Sequence, residues 1–167
     1  MGLVLLAGLA YGAGSGTWTR TGDRQLDSAL QKMDIEAKAD PDGFLKQLSA
    51  GHGIPEANIR QAQETHGLGP ADIFMATALA RASHRPVLSV AEEYKQNQGK
   101  GWGVMAKEMG IKPGSREFRE LKRGAQGDLD HMRSLGKSKR MHEQKMKKDN
   151  ERKMKQEPRG KGQEKSR

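Results

Sequence analysis

Few residues in this chain have types and spacing suited to catalysis or metal binding. There is no cysteine, which excludes disulfides, thiol nucleophiles and thiolate metal sites. No two histidines are spaced three or four residues apart, as a metal site on one helix requires. The histidines are His52, His66, His84, His131 and His142. We therefore expect no enzyme activity, no catalytic or metal-binding residue, no cofactor and no small-molecule substrate.

Two glycine-rich stretches raise the question of a phosphate-binding loop. Residues 12–17 follow an apolar run, but Gly16 stands where a P-loop needs lysine. Gly99, Gly101 and Gly103 alternate around Trp102 without a preceding strand pattern, so they more simply predict a turn. Trp102 is then expected to pack on the helices, and the alternative is an exposed ring that stacks on a ligand.

Positive charge is concentrated at the C-terminal end of the chain. The chain has a formal net charge of +9, and residues 126–167 hold 14 Lys/Arg against 7 Asp/Glu. Such a segment favours anionic polymers or membrane surfaces. Lysine outnumbers arginine there and no aromatic residue is interleaved to stack bases, which predicts binding without sequence specificity. The candidate anion-binding residues are Lys137, Lys139, Arg140, Lys145, Lys147, Lys148, Arg152, Lys153 and Lys155.

An alternative function rests on residues 90–111. Their order of helix, glycine turn and short second helix is similar to a helix-turn-helix, in which Lys100, Lys107 and Lys112 would meet phosphates. This interpretation makes the chain a cytoplasmic nucleic-acid-binding protein.

The N-terminus indicates export instead. Residues 3–10 form an uncharged apolar run followed by small residues, as in a secretory signal peptide. The run is shorter than the roughly 20 apolar residues that span a bilayer. Cleavage before Ala13 would remove residues 1–12 and place the protein in the periplasm or outside the cell. No Lys or Arg precedes the run, which is consistent with a signal peptide truncated at its start.

The elements that must position these residues are predicted to be short helices. No part of residues 40–125 alternates apolar and polar residues with a period of two, whereas apolar residues recur at helical spacing. The start signals are Asp40-Pro41, Pro55, Pro70, the capping box Ser89–Glu92, and Ser115. The last helix is expected to stop at Gly124. The fold class is therefore all-α, an irregular bundle of short helices with a flexible basic C-terminal tail.

The flanks of this bundle are expected to contribute little to the core. Residues 13–39 read as a flexible segment that can hold one helix with Leu26, Leu30, Met33 and Ile35 as a loose apolar stripe. Residues 40–125 form the helical domain. Residues 126–167 form the basic tail, either largely disordered or a solvated helix.

Residues 100–122 carry a family resemblance. Lys-Gly-Trp-Gly is followed by Ala-Lys-Glu-Met-Gly-Ile-Lys-Pro-Gly-Ser, and the segment resembles a module of a family of uncharacterised small exported bacterial helical proteins. Residues 69–75 and 93–95 fit the same family, so the resemblance covers roughly residues 41–125. It implies export and a helical fold without implying a function. A histidine often follows the family's counterpart of Phe118, and this chain has Arg119 there.

Overall fold

A computed structural model of the chain describes residues 21–97 and 99–156. This part of the chain contains seven α-helices and no strand, so the predicted all-α class is confirmed. The N-terminal apolar run, and with it the predicted signal peptide, lies outside the described residues, as do residues 157–167. The helices are α1 (Arg24–Ala37), α2 (Pro41–His52), α3 (Glu56–His66), α4 (Pro70–Ser83), α5 (Val87–Gln96), α6 (Trp102–Glu108) and α7 (Arg116–Gln156).

Helix α4 forms the centre of the body. Eight consecutive residues, from Ile73 to Ala80, are buried, and α4 contacts α1, α2, α3, α5 and α7. A helix that is apolar on all sides must be surrounded, which explains why this sequence takes the central place.

The helix boundaries at the start of the body follow the predicted local signals. Asp40 is the N-cap of α2 and accepts a hydrogen bond from Gly43 N–H at 3.2 Å, with Pro41 as the first helical residue. Gly53 and Gly67 end α2 and α3 in the left-handed conformation, with φ of 67° and 60°. A residue in this conformation lets the following N–H groups bond to carbonyl groups of the last turn, which ends each helix at that position.

Helix α1 contributes more to the core than the sequence indicated. Asp23 caps α1 by accepting hydrogen bonds from Gln25 and Leu26 N–H at 3.0 and 2.9 Å. The buried face of α1 packs against α4 and α7. The expected position of Ile35 in that face is wrong, because its side chain is 66 % exposed.

The predicted capping box at Ser89 is also wrong. Helix α5 begins at Val87, directly after Pro86, so Ser89 and Glu92 lie inside it. Pro86 holds a backbone φ of −60°, and an earlier start places Val87 on the buried face. The chain gains apolar burial from the extra residues, which outweighs the hydrogen bonds of a capping box.

The predicted stop at Gly124 is wrong for a similar reason. Helix α7 runs without interruption through Gly124 and Gly127 and has 41 residues. A glycine costs roughly 1 kcal/mol inside a helix. Ala125 and Leu129 are 0 % and 1 % exposed, and burying them favours continuation. The core therefore extends from α1 into the segment that the sequence assigned to a tail.

Candidate anion-binding helix

Helix α7 carries all nine candidate anion-binding residues. Its start is set by Ser115, whose hydroxyl accepts a hydrogen bond from Phe118 N–H at 3.1 Å, as the sequence predicted. At 1.5 Å per residue the helix is about 60 Å long. It has two halves with different surroundings, which we call the packed half (residues 116–140) and the projecting half (residues 141–156).

The packed half presents one apolar face to the body. Phe118, Leu121, Ala125 and Leu129 recur at spacings of three and four, so they share one side of the helix. All four are buried, and Met132 continues the row as a partly buried residue. This face fixes the position and direction of α7 on the body.

Ion pairs tie the packed half to α1 and the start of α2. Lys122 Nζ lies 2.9 Å from Asp23 Oδ2, and Lys139 pairs with the N-cap Asp40. The hydrogen bond from Lys139 is the main reason that the pKa of Asp40 lies below its usual value. Burial alone would raise the pKa of Asp23, but hydrogen bonds from Leu26 N–H and Lys122 outweigh it and lower that pKa.

A second polar contact joins α7 to α2 inside the packed half. Gln47 Nε2 donates to the Asp128 carbonyl at 2.6 Å and to Asp128 Oδ1 at 3.2 Å. His52 Nε2 lies 3.4 Å from Asp128 Oδ2, and the His52 ring packs edge-on against Phe74. The sequence did not pair this histidine with a carboxylate, because the two residues lie on different helices and only the fold brings them together.

The projecting half is solvated. Every side chain from Met141 to Lys155 is exposed except that of Asp149, which is half-buried. Residues 126–156 are thus helical: 126–140 belong to the packed half, and 141–156 form a solvated helix, which was one of the two predicted alternatives. The predicted cations all lie on α7 and are all exposed, three of them in the packed half (Lys137, Lys139, Arg140) and six in the projecting half.

The prediction from sequence did not include three exposed arginines on the same helix. Arg116, Arg119 and Arg123 belong to the packed half and are exposed. Their spacing of three and four residues was a readable signal. A helix that ends at Gly124 would not place these arginines on the same helix as the later lysines, so nothing in the sequence indicated that they should be grouped.

Trp102 is placed in the interior of the body. Its ring is 1 % exposed and stacks on Tyr94 with ring centroids 3.8 Å apart. Trp102 Nε1 donates to Asp72 Oδ1 at 2.7 Å, and the Tyr94 hydroxyl donates to the same oxygen at 3.0 Å. The ring that was considered as a ligand-stacking residue is therefore occupied by a neighbour of this chain.

The Asp72 carboxylate, which accepts hydrogen bonds from both aromatic residues, is partly buried. Burial is the main reason that the pKa of Asp72 is raised, and the hydrogen bonds from Trp102 and Tyr94 only reduce the shift. The pKa of Asp34 is raised mainly by burial as well, although its Oδ1 accepts a hydrogen bond from Ala71 N–H at 2.8 Å. Within the described residues, no group of three or more acidic or histidine side chains is placed to hold a metal ion.

The unit formed by α5 and α6 differs from a DNA-binding helix-turn-helix in which side chains of its second helix are exposed. Helix α6 has seven residues and buries Trp102, Met105 and Ala106. Lys100 pairs with Glu108 at 3.5 Å, and Lys107 and Lys112 are exposed. A recognition helix presents its N-terminal residues to base edges, whereas the N-terminus of α6 faces the body.

Comparisons with known proteins identify no relative of this chain. No protein-family model, curated protein or solved structure matches this chain. Across residues 21–97 and 99–156, the helices include none that has the length and apolarity needed to cross a membrane.

Proposed function

We propose that this protein is an exported helical binding module that uses the projecting basic helix to hold anionic polymers or surfaces. The observation that carries the proposal is the exposure of the cations on α7. Residues 137–156 hold nine Lys/Arg against three Asp/Glu, and the nine basic side chains are all exposed. Among them, only Lys139 has an ion pair within the described part of the chain.

The chemistry of these side chains supports attraction by charge rather than recognition of sequence. Lysine ammonium groups are compact, strongly hydrated charges on flexible stems, and they contact phosphate or carboxylate groups without fixed geometry. The described residues 137–156 contain no aromatic side chain for stacking on bases. Binding of this kind weakens steeply with salt because counterions are released from the anionic partner.

Export to the periplasm or the cell exterior is part of the same proposal. Its support is the apolar run at residues 3–10 followed by small residues. N-terminal sequencing of the mature protein from fractionated cells of the native host tests it. A mature chain that begins at or near Ala13 is expected, and an intact Met1 in the cytosolic fraction would contradict export.

The binding proposal is tested with two full-length variants that each lose six positive charges. The first changes the six cations of the projecting half to glutamine: Lys145, Lys147, Lys148, Arg152, Lys153 and Lys155. The matched control changes six exposed or pair-forming lysines of the body to glutamine: Lys32, Lys38, Lys46, Lys100, Lys107 and Lys112. Affinity for duplex DNA and for anionic vesicles is measured at several salt concentrations.

We expect the projecting-half variant to lose most of the affinity and to show a shallower salt dependence, by up to about 0.9 in log–log slope for each phosphate contact removed. The body variant should retain most of the binding. The opposite result on duplex DNA would favour the helix-turn-helix alternative, because the body variant lacks Lys100, Lys107 and Lys112. Absence of salt-sensitive binding to any anion would refute the proposal.

A further inference from the structure

The cations of α7 are not spread evenly around the helix. Lys145, Lys148, Arg152 and Lys155 follow one another at spacings of three, four and three residues, so they share one side. Lys137 precedes Lys145 by eight residues and lies near the same side. All five are exposed.

The same side continues along the packed half. Arg116, Arg119 and Arg123 are spaced by three and four residues, and Lys137 follows Arg123 after two seven-residue repeats. Two such repeats return to nearly the same side of an α-helix. These eight residues form one row, the α7 stripe, about 58 Å long at 1.5 Å per residue.

The stripe lies on the side of α7 opposite its buried row, and Arg119 and Arg123 also line a cleft with Asp23 and Gln25 at the start of α1. Leu121 and Ala125, on either side of Arg123 in sequence, point into the core, and Arg123 itself is exposed. Because successive residues of a helix are about 100° apart, the row of Phe118, Leu121, Ala125 and Leu129 and the stripe lie on nearly opposite sides. Asp130 interrupts the stripe, and Gln126 Nε2 donates to it at 3.0 Å. At the start of the stripe, Arg116 Nε lies 2.8 Å from Glu120 Oε1, so this arginine is already partly neutralised.

We propose that the α7 stripe is a docking surface for an anionic lipid bilayer, on which the whole helix lies flat with the body above it. This inference rests on the proposed function, which requires only that the projecting half attracts anions. A plane is the partner whose charges all eight cations reach at once. Clusters of four to eight Lys/Arg on a helix are typical of binding to anionic headgroups.

Duplex nucleic acid fits this stripe less well. One turn of a DNA duplex is about 34–36 Å long, and its grooves wind around the axis. An α-helix of about 58 Å does not follow that winding, so it leaves the groove before both of its ends make contact. Single strands would follow the line, but they gain most from aromatic stacking, for which the stripe supplies no side chain.

The experiment compares full-length variants that lose equal charge from different sides of the helix. The stripe variant changes Lys145, Lys148 and Arg152 to glutamine. The control variant changes Arg140, Lys147 and Lys153, which are exposed on other sides of α7, to glutamine. A second pair tests the packed half, with Arg119→Gln and Arg123→Gln against Lys32→Gln and Lys107→Gln, all at exposed positions.

The probe is a vesicle of phosphatidylcholine with one third phosphatidylglycerol, and binding is measured by co-sedimentation at 0.1 M salt. The stripe variant should partition about 100-fold less than wild type. The control triple should lose less than about tenfold, because its charges stand roughly a further Debye length, about 10 Å, from the membrane plane. The arginine pair should likewise lose more than its lysine control.

Each other result overturns the inference in a recognisable way. Equal losses in the stripe and control triples would show that binding does not depend on one side of the helix, and the proposed function would stand alone. Loss in the stripe triple without loss in the arginine pair would show that the packed half does not touch the bilayer. Salt-sensitive binding to duplex DNA without binding to vesicles would show that the partner is nucleic acid and not a lipid bilayer. Failure with every anion would refute both proposals.

Discussion

Replacing Leu129 by alanine tests whether α7 belongs to the core beyond Gly124. The Leu129 side chain is 1 % exposed and belongs to the hydrophobic core, where α7 packs against α1, α2 and α4. A buried leucine cut to alanine loses its transfer free energy and leaves a cavity, which costs about 2–5 kcal/mol. For a domain of this size, that loss lowers the melting temperature by roughly 8–20 °C.

Leu135→Ala is the matched control, because it removes the same atoms six residues later on the same helix. Leu135 is 42 % exposed. A substitution of this kind outside the core should change stability by about 0.5 kcal/mol or little more. Urea unfolding followed by far-ultraviolet circular dichroism gives both values. If Leu129→Ala costs no more than Leu135→Ala, the packed half does not extend beyond Gly124, and residues 126–156 are a tail after all.

Two further predictions concern the interior aromatic cluster. Trp102→Ala should destabilise the protein by about 3–5 kcal/mol in urea unfolding, because the ring is buried and Asp72 loses a donor; unchanged stability would mean that the ring is exposed and available to a ligand. Asp72→Asn should flatten the pH dependence of stability. The folded pKa of Asp72 is raised, so its ionised form costs stability above that pKa. As pH falls from the folded pKa to the ordinary value, only the folded protein takes up this proton, and stability rises. A variant whose stability keeps the wild-type pH dependence in that window would contradict this role.

Local signals predicted much of the fold. The N-cap at Asp40, the prolines that open helices and the glycines after α2 and α3 act within a few residues of the bond they form, so a sequence displays them directly. The extent of α7 depends on contacts that lie far away in sequence. Asp23, for example, pairs with Lys122 across 99 residues, and nothing near Gly124 reports that contact.

The candidate site was predicted in composition but not in geometry. The charge count identified the nine cations of residues 137–155 because net charge needs no fold. Their alignment with Arg116, Arg119 and Arg123 depends on an unbroken helix, and the glycines at 124 and 127 pointed to a stop. Trp102 packs on the helices, as the first of its two predicted roles required. Its hydrogen bond to Asp72, 30 residues away, could not be predicted from the sequence.

The continuity of α7 also decides how its outer half stays helical. A separate peptide of roughly 15 residues, about the length of the projecting half, is marginal as a helix in water, because closing the first turn orders several residues for a single hydrogen bond. In this chain the first turns of α7 are already built against the body, so the projecting half only elongates an existing helix. Unwinding therefore proceeds inward from the far end, and detachment of the packed half would remove the template on which the outer turns form. The helical state of the projecting half therefore depends on the core, although the surface that this half would contact lies far from the core.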